Sequence, residues 1–404
     1  MALTIGLVYS CPASERRGSP PSASQVSKAT RAGADYLIRH CHAKGRFAYR
    51  LSRHPRVTYP ARYNILRHAG TVHVLALYLA SNPDDTNLRN CLKKSSEFLI
   101  DETIRPLPNR NDLLAVWSAP AIDNTQLPFQ AKLGGSGLGL AALAQLYHCD
   151  PNLVEIDFSI LRKLAEFICY MQKKDGSFYS KYVISAGGRT DAWVSQYYPG
   201  EAAVGLLTLY RIDPNEKWLR AAVSALAYLA RMRSEKLEVP PDHWALIASA
   251  MLLDMKLPDR IFMPRALLLE HMRKIVGATL AARPFHLSNS PALGALTPTG
   301  CMTPTACRLE GLLYAIPFMA DKSVLRSQAR LAVNSGIDFL LRSQIKSGPH
   351  AGGIPRAIRP LHPSHPEFSQ RFNLRAGEVR IDYVQHAMSA FMQYERLITN
   401  SGER

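Results

Sequence analysis

Residues 137–147 read GLGLAALAQLY, residues 202–210 read AAVGLLTLY and residues 245–253 read ALIASAMLL. Each stretch is short and apolar nearly all round a 3.6-residue period, so as a helix it must be surrounded by protein. Between them lie segments with apolar residues at three- and four-residue spacing and one charged face, marked by Lys93-Lys94 and by Arg231 and Arg233. A charged face belongs in water. Alternation of the two kinds predicts two concentric layers, with the apolar helices inside and the amphipathic ones outside.

Extended along the chain, the same periodicity predicts twelve helices, at 25–42, 64–80, 86–104, 135–147, 156–173, 199–211, 214–234, 242–254, 265–281, 303–319, 322–345 and 380–398. No comparable β alternation competes. The even-numbered helices are the inner set, which makes the expected fold all-α, an (α/α)6 toroid of six helical hairpins. Residues 12–24 are rich in Pro, Ser, Arg and Gly, so residues 1–24 are expected to form a flexible leader. Residues 25–404 form the single toroid domain in this reading. A length of 404 residues would also suit two or three domains, and the helix spacing decides between them.

Several outer helices close in the same way. Phe167 to Phe178 reads FICYMQKKDGSF, Phe339 to Gly348 reads FLLRSQIKSG, and Tyr36 to His40 is followed more loosely by Gly45-Arg46-Phe47. Glycine just past a helix end supplies the left-handed conformation that stops it. A recurring closure of this kind marks stacked repeats that bury their faces on their neighbours. The Gln-x-x-x-Gly-x-aromatic ending at Gln172, Gly176 and Phe178 resembles the repeat of terpenoid-cyclase-type α/α toroids. The six-hairpin pattern is equally similar to six-hairpin glycosidases and sugar epimerases. The stretches Tyr63 to Thr71 (YNILRHAGT) and Tyr197 to Ala202 (YYPGEA) resemble those of bacterial toroid proteins. The resemblance runs from about residue 25 to 398 and implies architecture; a shared fold does not fix function.

Composition bounds the partners. The chain is 47% hydrophobic and 20% charged, which suits a packed globular core. Its formal charge of +17 favours anions. The charge is spread without a run of five or six Lys/Arg, and no nucleic-acid-reading motif is present, so nucleic acid is not the expected partner. Seven cysteines (Cys11, Cys41, Cys91, Cys149, Cys169, Cys301, Cys307) lack regular spacing and read as buried apolar residues rather than a disulfide framework. The opening Met1 to Cys11 is apolar but lacks a basic n-region and is short for an export signal, so localisation stays open, the cytoplasm being favoured and the periplasm the alternative if an export signal was trimmed. No apolar stretch reaches the about 20 residues that span a bilayer.

If the even helices line the interior, the loops leading into them open on one rim. Uncommon polar residues gather there: Arg67 and His68 at the second helix, Gly134 and Gly135 at the fourth, Pro199, Gly200 and Glu201 at the sixth. Asp242, His243 and Trp244 open the eighth, Arg308 and Glu310 lie early in the tenth, and Arg380, Asp382 and His386 open the twelfth. Convergence from distant points is what a concave site with few polar groups requires. Singly, Asp242 is also a good N-cap and Glu201 a residue favoured by the helix dipole.

Three roles suit these residues. Glu201, Asp242, Glu310 and Asp382 offer an acid and a base for glycosidic cleavage or sugar epimerisation, and His68, His243 and His386 carry protons near neutral pH. Arg67, Arg308 and Arg380 are suited to hold a carboxylate, sulfate or phosphate through forked hydrogen bonds. Trp193, Tyr197, Tyr198 and Trp244 offer flat faces for a sugar, or plug the rim.

The connections 106–132, 179–198 and 347–378 are too long for simple turns and are expected to be lids or substrate walls. The middle one carries Arg189, Asp191 and Trp193. The last carries His350, Arg356, His362, His365 and Arg375, a cationic stretch that again suits an anion.

Metal is poorly supported. Cys301 and Cys307 with His243 are similar to part of the zinc site of lanthionine-forming toroids, but that family's Cys-His run is missing. No Asp-rich terpene-cyclase motif, Walker loop or dinucleotide glycine pattern is present, and no cofactor is expected. The expected function is a carbohydrate-active enzyme (hydrolase, lyase or epimerase) on an acidic glycan or its fragment. The alternative is a non-catalytic toroid binding an anionic polymer or a protein partner. Oligomeric state is not legible.

Overall fold

The computed structural model describes residues 19–402 apart from 263, 285, 286 and 288. Most of the expected leader, including Cys11, therefore lies outside the described residues. The helices are α1 (Ala23–Arg39), α2 (Ile65–Leu79), α3 (Thr86–Thr103), α4 (Pro120–Asp123), α5 (Leu133–Cys149), α6 (Phe158–Tyr170), α7 (Tyr198–Tyr210), α8 (Glu216–Ser234), α9 (His243–Asp254), α10 (Arg265–Ala281), α11 (Met302–Ala315), α12 (Val324–Ser343), α13 (Gln370–Leu374) and α14 (Ile381–Gly402). Apart from the short α4 and α13, these are the twelve helices the periodicity predicts, with ends displaced by a few residues.

They form two layers. Helices α2, α5, α7, α9, α11 and α14 pack each on the next and close into an inner ring, α14 returning to α2. Around them run α8, α10, α12, α1 and α3, with α6 joining α8. Gly137 and Gly205 explain the tight α5–α7 contact: a Cβ on Gly205 would stand 2.4 Å from the Gly137 carbonyl oxygen, so the two backbones meet where side chains are missing. The architecture is the expected (α/α)6 toroid.

The repeated closure has a structural cause. Past α6 the Gln172 side chain donates to the carbonyls of Gly176 (3.2 Å) and Ala221 on α8 (2.9 Å), and Gly176 adopts φ +94°. A Cβ there would lie 2.5 Å from the Ser224 carbonyl oxygen, so only glycine lets the turn lean on the next outer helix. Past α12, Gln344 donates to Ala29 on α1 (2.9 Å) and to Gly352 (3.2 Å). The partner glycine is thus Gly352 and not Gly348, where an added Cβ meets nothing.

One expectation is corrected. Ile104–Leu107 (β2), Arg110–Ser118 (β3), Gln130–Lys132 (β4), Lys181–Val183 (β5) and Gly188–Thr190 (β6) form an antiparallel sheet in that order. Two of the three connections read as lids therefore carry strands of this sheet, β3 and β4 in the first and β5 and β6 in the second. Its longest strand, β3, packs on α3, α6 and α5. Because five of its last six residues, 113–118, are buried, the strand lacks the alternation that betrays a half-exposed one. A separate pair joins Arg50–Ser52 (β1) to Glu378–Arg380 (β7), with Arg50 opposite Arg380, and clamps the first hairpin to the start of α14.

Candidate active site

A cavity of about 530 Å³ opens among the amino ends of the inner helices. Its wall includes Arg67 from α2, Glu201 from α7, His243 and Trp244 from α9, Cys307 and Arg308 from α11, and Arg380, Asp382 and His386 around the start of α14. Tyr197 and, from the third long connection, Arg356 and Arg375 complete it. Nine of the fourteen residues singled out in the sequence thus share one cavity.

Five do not line it. His68 is buried behind the wall, with Nδ1 2.8 Å from the Tyr63 hydroxyl and Nε2 2.9 Å from the Ser95 carbonyl, and burial pushes its pKa down to about 4. It is a neutral ring tying α2 to α3. Asp242 caps α9, accepting from the Ala245 amide at 3.1 Å, and turns outward to Arg233 on α8 at 2.9 Å. A cap that faces the outer layer cannot also face the cavity, so the expectation that it joins the acid/base set is corrected. Trp193 is half-exposed on the sheet side, with the Lys181 ammonium over its ring at 4.7 Å and Tyr198 edge-on at 5.6 Å. Tyr198 is buried against α5, where a Cβ on Gly134 would come within 2.5 Å of its ring. Glu310 stands behind the wall and holds Nδ1 of His386 at 2.6 Å.

The carboxylates differ sharply in their partners. Asp382 takes Arg67 at 2.9 Å and both Nε and Nη2 of Arg380, at 2.5 and 2.8 Å. Burial opposes its charge, but the two guanidinium groups outweigh it and hold its pKa below the usual range. Glu378, just behind, accepts two hydrogen bonds at 2.9 Å from Arg375 and one at 2.7 Å from Tyr383. Glu201 is the exception. Its Oε2 is buried without a hydrogen-bond partner, in space left by Gly134, where a Cβ would come within 1.8 Å of that oxygen. Burial raises its pKa to about 8, so the carboxyl is mostly protonated at neutral pH.

Two guanidinium groups are also left over. Arg308 donates to the Leu296 carbonyl and has no carboxylate partner among the described residues; burial pulls its pKa below the usual arginine range. Arg356 lies over the Phe372 ring at 4.9 Å with its Nη1 buried and without a partner. Arginine keeps its charge in such places, and a buried charge without a counter-ion favours an anionic ligand.

A second cluster shares the wall. His243, Cys307, Glu310 and His386 each bring a potential ligand atom, all within 4.8 Å of one another. His243 has neither ring nitrogen hydrogen-bonded, and burial holds its pKa well below the usual histidine range. Its ring packs edge-on to Tyr197 and His386, at 5.2 and 5.5 Å. Burial opposes charge on His386, but Cys307 and Glu310 together outweigh it and hold its pKa well above that range. From sequence, Cys307 pairs with Cys301 and His243 and not with Glu310 or His386. The missed signal was its i, i+3 spacing to Glu310, which puts both on one face of α11.

No family model matches the chain, and a search of curated proteins finds no match. Solved structures do. A cellobiose 2-epimerase from Spirochaeta thermophila superposes with a TM-score of 0.65 at 12% identity, over 93% of this chain and 97% of that one. A D-mannose isomerase gives 0.63 at 14% identity, over 94% and 100%. A GH76 α-1,6-mannanase from Salegentibacter gives 0.55 at 11% identity, over 92% and 99%. The chain therefore has the α/α-toroid fold of these epimerases, isomerases and glycosidases, a likeness of architecture across its length.

Proposed function

We propose that the protein is a carbohydrate-active enzyme that transfers a proton on an acidic sugar or short glycan, with Glu201 as the proton-carrying group and Arg308 and Arg356 as the clamp on the sugar's negative charge. The observation that carries the reading is the buried Glu201 Oε2 without a hydrogen-bond partner, in a cavity whose wall also holds two arginines that have no carboxylate partner among the described residues. A group that titrates near the working pH is an effective acid or base, and a pKa of about 8 suits that use. The carbohydrate-processing names among the structural neighbours support the choice of substrate class. So do Trp244 and Tyr197, flat rings on the cavity wall.

Of the reactions weighed from sequence, epimerisation or elimination fits better than hydrolysis. Glycosidic hydrolysis uses two carboxyl groups across the scissile bond. Here Asp242, Asp382 and Glu310 are each held by a cationic partner or histidine, which leaves Glu201 alone with an open oxygen. A cavity of about 530 Å³ suits one or two sugar rings.

The test is incubation with uronic-acid mono- and disaccharides in deuterated water, followed by proton NMR. A new epimer carrying solvent deuterium at a ring carbon, or an unsaturated product that has lost that proton, is the expected result. Glu201→Gln keeps the shape and loses the proton, and turnover should fall by about 10²–10⁴-fold while sugar binding is retained. Full turnover in that variant refutes the assignment. Binding of acidic sugars without turnover in the wild type identifies the non-catalytic toroid instead.

A further inference from the structure

The four-residue cluster on the cavity wall is unused by the reading above. Its members come from three inner helices: His243 at the first position of α9, Cys307 and Glu310 on α11, and His386 on α14. The helices are brought together by a missing side chain. A Cβ on Gly311 would stand 3.1 Å from the His243 Cα and 3.2 Å from its Cβ, so α9 lies close against α11 beside Cys307.

The donor set is of a recognisable kind. Two imidazoles and a thiol suit zinc and its first-row neighbours, and catalytic zinc sites take three protein ligands and leave a fourth position open. His243, Cys307 and His386 line the cavity, and Glu310 does not. Instead, Glu310 holds Nδ1 of His386 at 2.6 Å, which leaves Nε2 for another partner. A carboxylate on the far nitrogen of a histidine is the usual support for a metal ligand, because it fixes the tautomer and the ring orientation.

The independent sign is His243. The residue is 3% exposed, yet neither ring nitrogen has a hydrogen-bond partner. A buried imidazole without partners is costly. A tetrahedral ion with ligands at about 2.0–2.3 Å sets donor atoms about 3.3–3.8 Å apart. The four residues bring their donor atoms within 4.8 Å of one another, somewhat wider than that, so binding would draw them together.

We propose that His243, Cys307 and His386 bind a zinc-class divalent metal ion at the cavity wall, with Glu310 as the positioning residue on His386 and the fourth coordination position facing the cavity. Bound there, the ion would act as a Lewis acid toward an oxygen of the ligand in the cavity. The proposal is separate from the role of Glu201, which lies on α7 and is not among the four.

The test uses the full chain, stripped with a chelator and titrated with Co²⁺ alone, then with Zn²⁺ in competition. One equivalent of Co²⁺ should bind, with the visible bands of a tetrahedral ion and a near-ultraviolet thiolate-to-cobalt band, and Zn²⁺ should displace it. Cys307→Ser should remove the thiolate band and Cys41→Ser should keep it. Glu310→Gln should still bind one equivalent, with affinity lower by about 10–100-fold. Circular dichroism of each variant confirms the fold, and His243→Gln gives a second ligand deletion from a different helix. Substoichiometric uptake by the wild type overturns the proposal, as does a thiolate band that survives Cys307→Ser. Glu201→Gln should keep the full metal content; a wild type that binds the metal but turns over no acidic sugar would sink the function proposed above and leave this site standing.

Discussion

Asp242 offers a sharp test of the division between wall and frame. Its side chain is fully buried and spans to Arg233, itself 3% exposed, at 2.9 Å, while its other oxygen caps α9. Asn at this position keeps the cap but abandons the charge of Arg233 inside the protein. Removing one partner of a buried pair costs about 3–5 kcal/mol, because the remaining charge is left uncompensated. Unfolding entropy scales at about 2.1 cal/mol/K per residue, or about 0.85 kcal/mol/K for a chain of this length. Asp242→Asn should therefore lower the thermal midpoint by about 4–6 °C. Asp242→Ala loses the cap as well, worth about 1 kcal/mol and roughly one further degree. Differential scanning fluorimetry with circular dichroism measures both. Adding Arg233→Met to Asp242→Asn should recover part of the loss, because the orphaned charge goes too. A midpoint for Asp242→Asn within a degree of wild type refutes the structural role, and loss of sugar turnover at unchanged stability would return Asp242 to the chemistry.

Two further outcomes follow from the frame. Gly176→Ala meets both a left-handed backbone (φ +94°) and the Ser224 carbonyl, whereas Gly187→Ala meets only the backbone (φ +77°) with nothing within 4 Å. Gly187→Ala should cost about 1–3 kcal/mol and Gly176→Ala about 1–3 kcal/mol more, read as successive drops in thermal midpoint. His68 has a folded pKa of about 4 against 6.5 unfolded, so the native state binds its proton less tightly. Its contribution is whole above pH 6.5 and is lost as pH falls toward 4, at up to about 1.4 kcal/mol per pH unit. Denaturant unfolding of His68→Gln across that window should show a stability–pH slope shallower by that amount, and an unchanged slope would refute the buried neutral ring.

What could be read from the chain was what periodicity carries. The inner helices announce themselves through stretches such as Gly137–Tyr147, since a helix apolar all round has nowhere to go but inside. Gln172 and Gly176 announce the repeated turn, because the turn needs a glycine whatever its surroundings. The sheet was not legible, as residues 113–118 are mostly buried and so lack a polar face. The sequence points to Gly348, which follows Gln344 at the same spacing as Gly176 follows Gln172, whereas contact with the backbone of α1 selects Gly352.

For the site, position along the chain predicted which residues reach the rim, but not which way each one turns. Asp242 and His243 are neighbours, yet one faces Arg233 on α8 and the other the cavity, since successive residues at a helix start point about 100° apart. The same limit applies to charge. Arg67 and Arg380 share Asp382, Arg50 and Arg375 share Glu378, and Arg308 and Arg356 have no carboxylate partner among the described residues. Six guanidinium groups around two carboxylates leave a positive excess that the net charge of +17 does not locate and only the packing reveals. That excess sits where the positive ends of several inner helices also converge, so the helix dipoles reinforce it. A neutral ligand would leave Arg308 and Arg356 uncompensated on closing off water, whereas an anion satisfies both. The negative charge of the proposed ligand rests on these two arginines, and its sugar ring on Tyr197, Trp244 and the company the fold keeps.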